Sequence, residues 1–126
     1  MKDFRDLKVW QRSHKLVLSI YEVTANFPKH ELYGLTSQMR RAAASIPTNI
    51  AEGCGRGSDA DFARFLQMAM GSGSELEYQL ILAHDLGFID KLQYDKLSNE
   101  LIETKRMLNS FLQTLKGNRT QLTAKS

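Results

Sequence analysis

Cysteine, proline and tryptophan are nearly missing from this 126-residue chain, which holds one Cys, two Pro and one Trp. A lone cysteine closes no intrachain disulfide, which fits a reducing compartment and removes thiolate metal clusters from consideration. Long apolar runs are missing too: residues 80–83 form one of the longest, far short of the ~20 residues a membrane-spanning helix needs. The opening MKDFRDLKVW has no apolar stretch of the secretory kind, so a cytoplasmic location with no membrane partner is expected. The alternating apolar pattern of strands is also lacking.

What is present is enough for one core. At 42% hydrophobic and 25% charged residues, the composition is that of an ordinary globular domain. Apolar positions step by threes and fours through Trp10, Val17, Ile20, Val23 and Phe27, and Phe27-Pro28 closes a first helix drawn over about 7–26. Leu35, Met39, Ala42, Ile46 and Ile50 mark a second helix, stopping at Gly53. Ser58 with Asp61 three residues on is a capping pattern that opens a third, whose stripe runs from Phe62 to Ala83 and ends near Leu86-Gly87. Leu97, Leu101, Leu108, Phe111 and Leu115 carry a fourth over about 91–116, with Gly117 as its stop.

Four amphipathic helices with short connections predict an all-α, antiparallel up-and-down four-helix bundle. The expected organisation is a single bundle domain over residues 1–117 and a disordered polar tail over 118–126. The mid-helix glycines of MGSGSE each cost about 1 kcal/mol relative to alanine, so they predict a close approach of helices two and three.

The stretch SIPTNIAEGCGRG, residues 45–57, combines a proline, an asparagine, a glutamate and three glycines. Pro47 predicts a kink in helix two, with Ser45, Thr48 or Asn49 supplying partners to freed backbone groups. Glu52 stands three residues after Asn49, and Glu75 of the next helix is expected to approach, making a polar cluster of Ser45, Asn49, Glu52 and Glu75 at a bundle end that is either structural or ligand-binding.

Three segments, DLKVWQRS, FPKHELYGLTSQMRRAAASIPTNIAEG and MAMGSGSELEYQL, resemble the bacterial four-helix-bundle proteins encoded in intervening sequences of 23S ribosomal RNA genes. The resemblance extends from Phe4 to about Leu115 and lies in the combination of Ser45, Pro47, the run Asn49-Ile50-Ala51-Glu52-Gly53, Gly71-Ser72 and Glu75. It implies a homo-oligomer, commonly a pentameric ring. A related family of bundle proteins, the accessory proteins of diversity-generating retroelements, is similarly pentameric and works with nucleic acid and a reverse transcriptase. The resemblance therefore implies RNA, DNA or a nucleic-acid-processing protein as a partner, and carries fold better than function.

Enzyme chemistry has little support. Gly53–Gly57 has the glycines of a phosphate loop but no preceding strand and no terminal Lys-Ser/Thr, and Asp59 and Asp61 would repel phosphate, so a helix-capping turn is expected. His14, His30 and His84 lack the spacing of a zinc site. Glu75 and Glu77 point about 200° apart on one helix, with no Glu-x-x-His partner. No catalytic residue, metal or cofactor is expected.

Charge is unevenly placed. Residues 1–58 carry nine Lys/Arg against five Asp/Glu, or +4, and residues 59–117 carry six against nine, or −3. Lys8, Arg12 and Lys15 recur at helical spacing on helix one, Arg40 and Arg41 flank the stripe of helix two, and Arg56 and Arg64 follow. These seven are the candidate nucleic-acid-binding residues, and they fit salt bridges within or between subunits as well. Tyr33 and Tyr78 fit packing better than base stacking. The sequence thus supports a non-catalytic oligomeric bundle that binds nucleic acid or a nucleic-acid-processing partner; the alternative is a protein scaffold that binds no nucleic acid.

Overall fold

In a computed structural model the backbone is described for residues 3–125 and the side chains for residues 3–117. Four helices, α1 (Lys8–Thr24), α2 (Ser37–Cys54), α3 (Asp59–Asp85) and α4 (Lys91–Lys125), pack in the cyclic order α1–α2–α3–α4. Successive helices run antiparallel: Thr24 meets Arg40 between α1 and α2, Ser45 meets Ser72 between α2 and α3, and Phe62 meets Phe111 between α3 and α4. The expected bundle is therefore the observed one.

The three-and-four periodicity puts one stripe of each helix inside. Leu16, Ile20, Met39, Ile46, Ile50, Leu66, Leu76, Leu80, Leu101 and Leu108 form the fully buried centre, the apolar burial that drives folding. Caps follow local chemistry. Ser58 Oγ accepts from the Asp61 amide at 3.2 Å at the start of α3, and Gly87, at φ +78°, turns the chain beyond its end.

Two local outcomes, the start of α2 and the end of α4, differ from expectation. A short 3-10 turn (Lys29–Glu31) and a π-helical turn (Leu32–Thr36) precede α2, so the helix proper begins later than the Leu35 pattern suggests. Glu31 Oε2 accepts from the Leu35 amide at 3.1 Å and stabilises that wide turn. Pro47 lies buried inside α2, which ends only at Cys54, close to the expected stop at Gly53, and Asn49 Nδ2 donates to the Ser45 carbonyl as expected beside the proline. Finally, the α4 backbone stays helical past Gly117 to Lys125, since one glycine costs only about 1 kcal/mol in a helix. The expected disordered polar tail, residues 118–126, falls where the side chains, and at 126 the backbone, lie outside the described residues.

The mid-helix glycines also act otherwise than predicted. A Cβ on Gly73 would lie 3.2 Å from Lys105 Cγ of α4, so Gly73 admits α4 rather than α2, and a Cβ on Gly71 would meet nothing within 4 Å. It is Ser72, between them, that touches α2: its hydroxyl lies 2.9 Å from Ser45 Oγ. The glycine needed by the α2–α3 contact is Gly53, whose added Cβ would fall 2.8 Å from Phe65 Cβ and 2.9 Å from Phe62 Cδ1.

Candidate nucleic-acid interface

The seven candidate cations fall into three places rather than one patch. Lys8, Arg12 and Lys15 stand exposed on α1 and border an open groove against α4, whose floor includes Leu18 and Met107. The side chains of Lys8 and Lys15 make no hydrogen bond or ion pair among the described residues. Across the groove, Arg106 shares a neighbouring concavity with Lys8, Val9 and Phe111. Arg106 was not among the residues anticipated; only the α1–α4 packing reveals its place in this row.

Carboxylates temper the groove. Glu103 pairs with Arg106 one helical turn away, and the Arg106 hydrogen bond, with the Arg106 and Arg12 charges behind it, holds its carboxyl below the usual range. Glu100 also lines the wall. The row is therefore a basic edge with an ion-paired border.

Arg40 and Arg41 lie on the opposite flank of α1, toward the other end of the bundle. Arg40 is half-buried; its Nε donates to Thr24 Oγ1 at 2.9 Å and its guanidinium sits 4.7 Å from the centre of the Tyr21 ring. The Thr24 hydroxyl itself donates to the Ile20 carbonyl at 2.7 Å, so Arg40 fastens α2 to α1. Arg41 is exposed, with no side-chain hydrogen bond or ion pair among the described residues.

Arg56 and Arg64 meet at the third place, over one ring. Their guanidinium carbons lie 4.9 and 4.7 Å from the centre of Phe65, while Arg56 pairs with Glu52 at 3.3 Å and Arg64 with Asp61 at 3.7 Å. Both bridges are exposed and contribute little stability. They occupy these arginines all the same.

The polar motif divides in the same way. Asn49 Nδ2 donates to the Ser45 carbonyl at 2.8 Å and to Ser45 Oγ at 3.0 Å, and Ser72 completes the group at 2.9 Å. This is a mid-bundle link between α2 and α3, not a cluster at a bundle end. Glu52 turns to Arg56, and the side chain of exposed Glu75 makes no hydrogen bond or ion pair among the described residues. Helical spacing put Glu52 near Asn49, but the nearby cation decides where its carboxylate goes.

The glycine-rich turn is a helix end. Gly55 N donates to the Ala51 and Glu52 carbonyls and Arg56 N to the Gly53 carbonyl, so these amides face back into α2 instead of outward to an anion. Cys54 is buried. His14 stacks on Trp10 with ring centres 5.1 Å apart, and His84 packs on Tyr94 at 5.0 Å. Among the described residues no three His, Cys, Asp or Glu side chains stand together as metal ligands, and no helix is long and apolar enough to cross a membrane.

Comparison with known proteins agrees with this architecture. A crystal structure of a protein of unknown function from the S23 ribosomal protein family of Bacteroides thetaiotaomicron superposes with a TM-score of 0.78 at 26% identity, covering 83% of this chain and 95% of that one. No curated protein matches the chain. The family model described as 23S rRNA-intervening sequence protein matches residues 5–110, which include α1, α2, α3 and the first twenty residues of α4, and the chain belongs to that family.

Proposed function

We propose that this protein is a non-catalytic, self-associating helical bundle that binds the phosphate backbone of RNA or DNA, alone or beside a nucleic-acid-processing protein, in the cytoplasm. The observation that carries the reading is the exposed row Lys8, Arg12 and Lys15 beside the α4 groove. At 1.5 Å per residue the row is roughly 10 Å long. Such a row neutralises phosphates, releases counterions and binds with little regard to sequence. The membership of the Bacteroides relative in the S23 ribosomal protein family supports an RNA context.

Self-association has a separate support. Met68, Gly71, Glu75 and Tyr78 follow one another at helical spacing along the outer face of α3, with Ile81 beside them, and Met68, Tyr78 and Ile81 are 47%, 62% and 42% exposed. A glycine in mid-helix with open space around it has no packing reason inside one subunit. A second copy laid against this face would supply one, and five copies are what the family resemblance implies. The same face favours the second reading, a protein scaffold without nucleic acid, and Arg56 and Arg64 are already ion-paired within the subunit.

The test is a titration of labelled structured RNA and duplex DNA over a salt series, with the triple variant Lys8→Gln/Arg12→Gln/Lys15→Gln alongside. For duplex DNA the expected loss is about 0.9 in the log–log salt slope per phosphate contact removed. Absence of binding by the unaltered protein at low salt would sink the nucleic-acid reading and leave the scaffold.

A further inference from the structure

Tyr33 is 92% exposed, the most exposed of the large hydrophobic side chains among the described residues. It stands on the π-helical turn Leu32–Thr36, which no burial of its ring explains. Tyr33 borders a shallow concavity with Tyr21, Leu32, Ser37, Arg40 and Arg41. Two tyrosines and two arginines thus share one open surface.

The lining contains no carboxylate. Glu31, the nearest acid in sequence to Tyr33, is turned inward, its Oε2 accepting from the Leu35 amide. The Arg40 guanidinium is held by Thr24 and stacked over Tyr21, and its remaining N–H groups make no hydrogen bond among the described residues. Arg41 is exposed beside it, also without an ion pair among the described residues. Flat rings next to oriented cations are what single-stranded nucleic acid requires: the rings stack on bases and the guanidiniums meet phosphates.

We infer that Tyr33, with Arg40 held over Tyr21 and Arg41 beside it, forms a base-stacking site for unpaired nucleotides of single-stranded RNA or DNA. The site rests on the nucleic-acid reading above and deepens it, because it selects single strands, whose bases are free to leave the stack, over duplexes, whose bases are not. A protein partner offering only apolar groups fits less well, since covering the arginines would leave desolvated charges without counter-charges. The concavity lies on the α2 flank of α1, separate from the Lys8–Lys15 row on the α4 flank. Backbone attraction and base stacking are therefore separable by mutation.

The experiment compares the full chain with Tyr33→Ala, Tyr33→Phe and Arg41→Gln, titrated with a labelled oligouridine dodecamer and a matched RNA duplex across a salt series. The unaltered protein is expected to bind the single strand more tightly. Tyr33→Ala should weaken single-strand binding about tenfold while leaving duplex affinity and the salt slope in place, and Tyr33→Phe should retain binding. Arg41→Gln should lower the single-strand slope by about 0.7, one phosphate contact. Unchanged single-strand affinity in Tyr33→Ala overturns the inference. If the Lys8/Arg12/Lys15 variant still loses binding in that case, the phosphate reading survives alone; if the unaltered protein binds neither probe, both fall. A Tyr33→Ala variant altered in sedimentation but not in RNA affinity identifies a protein contact, and also overturns the inference.

Discussion

Glycine at position 53 shows how much one missing methyl group can matter. The last turn of α2 lies so close to α3 that a Cβ there would overlap Phe65 Cβ and Phe62 Cδ1. Phe62 is itself packed on Phe111 of α4 with ring centres 5.1 Å apart, so the ring has little freedom to retreat. Gly53→Ala should therefore destabilise the protein by about 1–3 kcal/mol despite alanine's better helix propensity, visible as a lower denaturant midpoint. A second residue-scale prediction concerns Asp3, whose carboxyl is lowered to about 2 by the Arg5 side-chain hydrogen bond and then by the Arg5 amide. A depressed carboxylate contributes stability that is present above its unfolded pKa and fades as pH falls toward 2. Arg5→Gln should raise the Asp3 titration midpoint toward that of an ordinary carboxylate in an NMR titration. That Gly53 ends a helix is readable from its neighbours; that it must be glycine for steric reasons is not, because Phe65 is twelve residues away along the chain.

At the scale of the elements, α2 and α3 are joined by a small polar link inside an otherwise apolar seam. Asn49 and Ser72 both hold Ser45, and each of the three side chains is half-buried. Ser72→Ala removes one such bond and should cost about 1 kcal/mol, measured by chemical unfolding. Gly71, one residue away, should behave in the opposite sense. Its replacement by alanine meets no neighbour within the subunit, so Gly71→Ala should stabilise the isolated chain by up to about 1 kcal/mol, and the proposed contact between copies on this face predicts weaker self-association in sedimentation velocity. The seam was partly legible in the sequence. Ser45 and Asn49 share a helical side by their spacing of four, and MGSGSE announces a contact; which helix each small residue admits depends on rotation about the helix axis, and local pattern does not fix that angle to within one residue. Hence Gly73 accepts Lys105 of α4, where contact with α2 was expected.

For the whole molecule the question is where the charge goes. The basic excess of residues 1–58 is real, yet folding distributes it over the α4 flank of α1, the α2 flank of α1 and the α2–α3 end of the bundle. Arg56 and Arg64 are ion-paired with Glu52 and Asp61, and Arg40 is anchored through Nε to the neutral Thr24 hydroxyl. Charge reversal at Arg40 is for this reason a poor probe of binding, since it also unfastens α2 from α1; the exposed row Lys8, Arg12 and Lys15 is the cleaner one. The proposed contact between copies on the outer face of α3 predicts that Tyr78→Glu leaves the subunit folded and reduces the assembled mass seen by light scattering, because it adds a charge beside Met68 and Ile81.

Period, caps and breakers in the sequence were sufficient for four helices, their order and their buried stripes, because these depend on residues a few positions apart. Antiparallel packing was expected from the short connections, four and five residues long on either side of α3 and twelve between α1 and α2. Only the tertiary structure decided which cations stand free, which glycine is required, and that Ser72 rather than Glu52 or Glu75 completes the Ser45–Asn49 link. Those outcomes depend on side chains brought together from positions 16, 27 or 31 residues apart, such as Thr24 with Arg40, Ser45 with Ser72 and Ser74 with Lys105. Helical periodicity has no memory over such distances, so the pairing of faces, and with it the site, is a property of the packed bundle alone.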